Sequence, residues 1–210
     1  MKENVEKRKP GPIISALGGL LSFLISSMAG GIVIVIIDNY VLATIVAGGL
    51  GGLLLGLMLG LGSDTKKLAI AGLFAMPGAM MFSFLVAELF GAAFPGAGHF
   101  LEGTWLPDII AISLMGMIFG AVCGSVLYDR KAFVFFGILC GIASIPFGIV
   151  VAAMDAGHIL KYWLVMNIKL LKMIDINFIL ISLSLGLGIG LCIGLMRRKF
   201  EEAAEKEKTG

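Results

Sequence analysis

Four residues combine a titratable side chain with a position in or beside apolar sequence, and they are the candidates for chemistry. Glu88 lies within the apolar stretch 84–93. A carboxylate inside a membrane is costly and by default indicates an ion or proton site, whereas at the membrane surface the cost nearly vanishes. Asp38 and Asp155 end apolar runs and fit the surface position better; His99, in a polar connection, is either a ligand or pH sensor or simply solvated. We take Glu88, Asp38, Asp155 and His99 as candidate ion or substrate residues.

The sequence lacks the common motifs of catalysis and metal binding. It contains no HExxH, GxSxG, CxxC or GxxxxGK[ST] pattern and only two histidines. Its three cysteines lie in apolar runs without paired spacing, which indicates small packing residues and not a disulfide framework or a zinc site. We therefore expect a protein that is not an enzyme and has no metal or other cofactor. Any nucleotide energy would have to come from a partner.

Glycines recur at every fourth position in three stretches of the chain. They are Gly48, Gly52, Gly56 and Gly60, then Gly116, Gly120 and Gly124, and then Gly186, Gly190 and Gly194. On an α-helix this spacing places the glycines on one face, where a second backbone can approach closely. These glycines are predicted to pack helices, either within the bundle or against another subunit. The alternative is that they line a narrow path around a threefold axis.

The composition places the chain in a membrane. Of its 210 residues 59% are hydrophobic and 14% are charged, and the mean hydropathy is +1.02. Soluble domains carry about 25% charged residues. A formal net charge of +2 gives no reason to expect nucleic acid. We predict an all-α integral membrane protein, multi-pass in the cell membrane, with the lipid bilayer as its first partner.

Six apolar stretches are long enough to cross a bilayer. They are predicted at 12–37, 41–62, 68–90, 108–128, 132–154 and 176–196, and together they form a transmembrane domain over 12–196. A polar tail at 1–11 precedes it and a charged tail at 197–210 follows it. Pro77 and Pro146 are expected to kink the third and fifth spans. On a helix, residues 158–174 would place basic side chains on one face and apolar side chains on the rest, which predicts an amphipathic helix in the membrane interface. The alternative is an extension of the sixth span.

Charge and spacing predict the topology. With a cytoplasmic N-terminus, thirteen of the sixteen Lys and Arg residues fall on the cytoplasmic side, so the positive-inside rule places both termini in the cytoplasm. Sliding the sequence by 64 residues lays the first glycine row on the second, and a further 70 lays the second on the third. The chain is therefore predicted to form three tandem helical hairpins related as a parallel pseudo-threefold repeat.

Two classes of function fit this architecture. Six spans with acids near their outer ends fit a small transporter or permease, or the membrane-embedded substrate-recognising subunit of a transport complex. A cavity bounded by Glu88 and residues 91–107 would favour this class. The alternative is a non-catalytic structural or assembly subunit that docks partner helices through its glycine rows. Its partners would be membrane or cytoplasmic subunits, or further copies of this chain in a homo-oligomer.

Overall fold

Helices make up most of the chain that the structure describes. The computed structural model describes residues 10–93, 106–128, 130–157 and 176–209. The helices are α1 (Pro12–Ile37), α2 (Tyr40–Met58), α3 (Asp64–Ala93), α4 (Leu106–Leu127), α5 (Arg130–Gly157) and α6 (Ile176–Thr209). Each contains a segment long and apolar enough to cross a membrane. Within these residues the prediction of an all-helical protein with six such helices is confirmed, whereas the predicted interfacial helix at 158–174 lies outside the described residues.

Local sequence sets the turn between α1 and α2. Pro12 occupies the first turn of α1, where its missing N–H would have no partner in the helix. Asp38 ends α1 in the left-handed region at φ 53°, and its N–H donates to the Ile34 carbonyl oxygen. Asn39 then caps α2, since its Oδ1 accepts a hydrogen bond from the Leu42 N–H at 2.9 Å. Two residues are therefore enough to connect the helices.

The opposite end of α2 comes earlier than the glycine spacing predicts. The spacing continues the helix past Gly60, but α2 ends at Met58. Gly60 has φ +62°, its N–H donates to the Leu57 carbonyl, and the Leu61 N–H donates to the Gly56 carbonyl at 2.9 Å. These two bonds form a Schellman C-cap, whose left-handed residue is usually glycine because a Cβ is unfavourable there. Gly60 therefore ends the helix.

Two further features of the helices bear on the predictions. Pro77 and Pro146 lie inside α3 and α5, and both helices continue through the proline. The bend expected from each missing N–H stays a prediction. α6 continues beyond its apolar segment, which ends at Lys199, into the charged C-terminal tail as far as Thr209.

The helices pack in chain order. Each helix contacts the next one along the chain, and α6 also contacts α1, so the six helices close into a ring. α6 contacts α4 and α2 as well and is the most enclosed, with 67% of its apolar segment buried against 33% for α1. Large apolar side chains are exposed on the outside of the bundle, as expected of surfaces that face lipid.

Phenyl rings and aliphatic side chains fill the middle of the bundle. Phe23 of α1 and Phe119 of α4 pack edge to face with ring centroids 5.7 Å apart. Leu55, Met76 and Leu185 belong to the same buried cluster. The Phe23 ring also lies against the backbone of α2, where a Cβ on Gly51 would be 2.9 Å from it.

Candidate functional site

The glycine row of α2 faces α3. The pairs in contact are Gly48 with Gly72, Gly52 with Leu68, and Gly56 with Thr65. A Cβ added to Gly56 would lie 2.8 Å from the Cα of Thr65, and one added to Gly48 would collide with the Gly72 carbonyl oxygen. The backbones of α2 and α3 can therefore approach this closely only while these positions lack a side chain.

The rows of α4 and α6 face α5 and α1 in the same way. The pairs in contact are Gly116 with Ser144, Gly120 with Cys140, Gly124 with Phe136, Gly186 with Gly19, Gly190 with Ser15, and Gly194 with Pro12. A Cβ added to Gly120 would lie 2.6 Å from the Phe136 carbonyl oxygen. Gly60 is the exception among the predicted packing glycines, because it forms the C-cap of α2 and has nothing within 4 Å of an added Cβ. The other nine lie against helices of the same chain.

Of the four candidate ion or substrate residues, Asp38 is the one whose side chain belongs to the described part of the chain. Asp38 is exposed at the C-cap of α1. Glu88 lies in α3 and Asp155 in α5, but the side chains of both fall outside the described residues, as does all of His99. Their roles stay predictions, and so does the cavity expected beside residues 91–107.

The bundle has two distinct ends, which we call the terminal end and the far end. The terminal end holds Pro12, the turn at 59–63 and Leu127, and the far end holds Ile37, Tyr40 and Ile176. Gly194 packs on Pro12 and Gly56 packs on Thr65, so paired helices run antiparallel between these ends.

Buried hydroxyl groups concentrate in the half of the bundle nearer the far end. Among the described residues ten serines and threonines are buried, and seven lie at the midpoint of their helix or on its far-end side: Ser26, Ser27, Thr44, Ser83, Ser144, Ser182 and Ser184. Thr44 and Ser182 precede the first glycine of their row by four residues, so each continues the glycine face by one turn. Sequence reasoning missed Thr44, Ser83 and Ser144, because single hydroxyls in apolar runs give no periodic signal.

These hydroxyls donate to their own helices and keep the capacity to accept. Ser182 donates to the Phe178 carbonyl at 2.8 Å, and Ser83 donates to the Ala79 carbonyl at 2.8 Å. A hydroxyl bonded in this way retains two lone pairs. The Oγ of Ser113, also nearer the far end, is buried and has no hydrogen-bond partner within the described ranges. The far half therefore offers neutral hydrogen-bonding groups inside an apolar bundle.

The three cysteines lie in one buried cluster, although they come from α4, α5 and α6. The Sγ atoms of Cys140 and Cys192 are 3.7 Å apart, and all three thiols are free. The Sγ of Cys140 lies between Gly120 and Gly188. A Cβ added to Gly120 would be 2.7 Å from this sulfur, and a Cβ added to Gly188 would be 3.0 Å from it. In the ranges described, no group of three or more His, Cys, Asp and Glu side chains has a geometry that suits a metal ion.

Arg197 links α6 to the turn between α2 and α3 at the terminal end. Its Nη1 donates to the Leu59 carbonyl oxygen at 2.9 Å. This carbonyl lies at the C-terminal end of α2, where the helix leaves acceptors without partners and the helix dipole is negative. Burial raises the pKa of Tyr128, at the end of α4, and Asp64 also raises it, while Arg197 acts in the opposite direction. Tyr128 is therefore a neutral phenol at physiological pH, in the field of charges from two other helices.

The fold and its surface define the class of protein. Within the described residues, six long helices with exposed apolar side chains are those of an all-helical, multi-pass membrane protein. Comparison of the chain with protein-family models, with curated proteins and with solved structures finds no match.

Proposed function

We propose that the protein is a small, non-enzymatic transporter of the cell membrane, either a permease or the membrane-embedded substrate-recognising subunit of a transport complex. The observation that carries this proposal is the uneven distribution of buried hydroxyls, most of which lie in the far half. Polar groups within a membrane bundle are expensive, and in transporters they replace the water that a solute leaves behind.

The terminal half contains three of the ten buried hydroxyls of the described residues. Its helices approach backbone to backbone at Gly52, Gly56, Gly190 and Gly194, and Arg197 joins α6 to the end of α2. Close backbone approaches also occur in the far half, where a Cβ added to Gly30 would lie 2.8 Å from the Ala43 carbonyl oxygen. The hydroxyl groups, and not looser packing, therefore distinguish the far half as the place where a solute could bind. The solute site would then lie in the far half, with Thr44 and Ser182 among the groups that bind the solute.

We also propose that the six helices form three tandem hairpins related by a parallel pseudo-threefold repeat. Support comes from the direction of the glycine rows: α2 faces α3, α4 faces α5, and α6 faces α1. Each glycine-bearing helix thus packs on the first helix of the next hairpin, and the last hairpin returns to the first. A cyclic arrangement of three similar units requires this pattern of contacts.

The alternative function, a structural subunit that docks partner helices through its glycine rows, has less support. Nine of the ten glycines concerned are covered by α1, α3 and α5 of the same chain. A partner helix would need a different surface, such as the exposed apolar faces of those helices.

Uptake into proteoliposomes tests the transport proposal. We expect the protein, alone or with its native membrane partners, to take up members of one class from a panel of neutral, cationic and anionic solutes. Ser182→Ala should weaken solute affinity about five- to tenfold, because one hydrogen bond contributes about 1 kcal/mol. Ser22→Ala is the matched control, since Ser22 is equally buried but lies in the terminal half. Absence of uptake for every solute, or equal effects of the two variants, would contradict the proposal.

Cysteine labelling tests the proposed orientation, with both termini in the cytoplasm. The three native cysteines are buried, so the wild-type chain provides an unreactive background. A membrane-impermeant maleimide should label Lys66→Cys, at an exposed position of the terminal end, only in inside-out vesicles. Asn39→Cys, at the exposed far end, should be labelled only in right-side-out vesicles. The reverse pattern would overturn the assignment.

A further inference from the structure

An apolar groove runs along the outside of α1 at the terminal end. It has a volume of about 240 Å³, and its walls are Ile14, Leu17 and Leu21 of α1 together with Met58 and Leu59. Its floor is Gly18, where an added Cβ would meet only the Cδ2 of Leu59, at 3.6 Å. The groove therefore exists because a glycine interrupts the side chains of α1 beside the end of α2.

The length of this groove matches one leaflet of a bilayer. It extends from Pro10 to Leu21, which at a rise of about 1.5 Å per residue corresponds to about 16 Å. The hydrocarbon core of a bilayer is about 30 Å thick, so one leaflet contributes about 15 Å. Ile14, Leu17 and Leu21 are all exposed within the membrane-crossing part of α1. An acyl chain lying beside α1 would fill the groove from the membrane surface to the middle of the bilayer.

A positive charge lies near the part of the groove that is lined by Leu59. Leu59 connects the two features, since its side chain lines the groove and its carbonyl accepts the hydrogen bond from Arg197. That bond uses one of the five N–H donors of a guanidinium, and the remaining donors suit the oxygens of a phosphate.

We propose that this groove binds an anionic phospholipid, with one acyl chain beside α1 and the phosphate group at Arg197. The apolar walls select a hydrocarbon chain, and the guanidinium of Arg197 beside Leu59 favours a headgroup with net negative charge over a zwitterionic one. The bound lipid would pack against the end of α2 and stabilise the contact between α1 and the turn that follows α2. This proposal does not depend on the transport function.

Native mass spectrometry of the full-length protein tests the proposal with two lipids of identical acyl chains, phosphatidylglycerol and phosphatidylcholine. We expect phosphatidylglycerol to remain bound at least fivefold more than phosphatidylcholine. Leu17→Trp fills the groove and should reduce bound phosphatidylglycerol at least fivefold. Ile25→Trp is the matched control, because Ile25 is also an exposed residue of α1 but does not line the groove.

A third variant separates the headgroup from the chain. Arg197→Gln should remove the preference for phosphatidylglycerol while leaving acyl-chain binding in place. Size-exclusion profiles of all variants establish that they fold. Equal retention of the two lipids by the wild-type protein, or equal loss in Leu17→Trp and Ile25→Trp, would overturn the proposal. Neither outcome involves solute uptake, so the lipid site and the transport function can fail separately.

Discussion

Replacing Gly52 with alanine is expected to lower the free energy of unfolding by about 3 kcal/mol or more, as measured by steric trapping or detergent unfolding. The added Cβ would collide with the Leu68 carbonyl oxygen and would lie 3.1 Å from the Cα of Ala69. Both atoms belong to the backbone of α3, so the clash is relieved only if α2 and α3 separate. Separation would remove the contacts along the whole row, because packed interfaces do not deform one residue at a time.

Gly49→Ala is the matched control on the same helix. The nearest atom to a Cβ at Gly49 is the Cβ of Leu73 at 3.6 Å, which is an ordinary van der Waals contact. Since alanine is a better helix former than glycine, this variant should be neutral or more stable by up to about 1 kcal/mol. The two variants thus differ in the sign of their effect. Similar behaviour of the two would show that close backbone approach at Gly52 does not hold the helices together.

Arg197→Ala is expected to lower the free energy of unfolding by about 2 kcal/mol, because a hydrogen bond to a charged group contributes about 1.5–3 kcal/mol. The variant leaves the Leu59 carbonyl without its 2.9 Å donor at the negative end of the α2 dipole. Thermal unfolding of the purified protein measures the effect.

Lys199→Ala provides the control for this variant. Lys199 is an exposed cation two residues further along α6, and its removal should change stability by less than about 0.5 kcal/mol. Equal stability of the wild-type protein and Arg197→Ala would mean that interfacial water replaces the guanidinium at the Leu59 carbonyl.

The sequence was sufficient to predict the helices because the membrane leaves the backbone little choice. An apolar chain in lipid has to satisfy its own N–H and C=O groups, and a helix does so within one segment. The polar residues Asp38, Asn39 and Tyr40 interrupt the apolar sequence and predict a turn, and in the structure Asp38 and Asn39 connect the helices while Tyr40 begins α2. The boundary at Gly60 was missed because a glycine at this spacing serves equally well on a packing face and in a left-handed C-cap.

Contacts between distant residues were harder to predict. Spacing shows which face of a helix carries the glycines, but not which helix covers that face, so the packing of Gly190 on Ser15 could not be inferred. The bond from Arg197 to Leu59 joins residues 138 positions apart and leaves no periodic trace. The role of Glu88 was hard to predict for a different reason. The sequence identifies it as a carboxylate in an apolar run, but residue spacing alone does not give its depth in the membrane.

The packing of α6 on α1 has a consequence for biosynthesis. Because α1 is translated before α6, Gly19 of α1 stays uncovered until Gly186 has been translated and inserted. The nascent chain therefore completes the six-helix bundle only once α6 has been inserted, and closure of this long-range pair is the step that loop entropy slows most. Fragments released before that point would expose a glycine-lined helix to the quality-control proteases of the membrane.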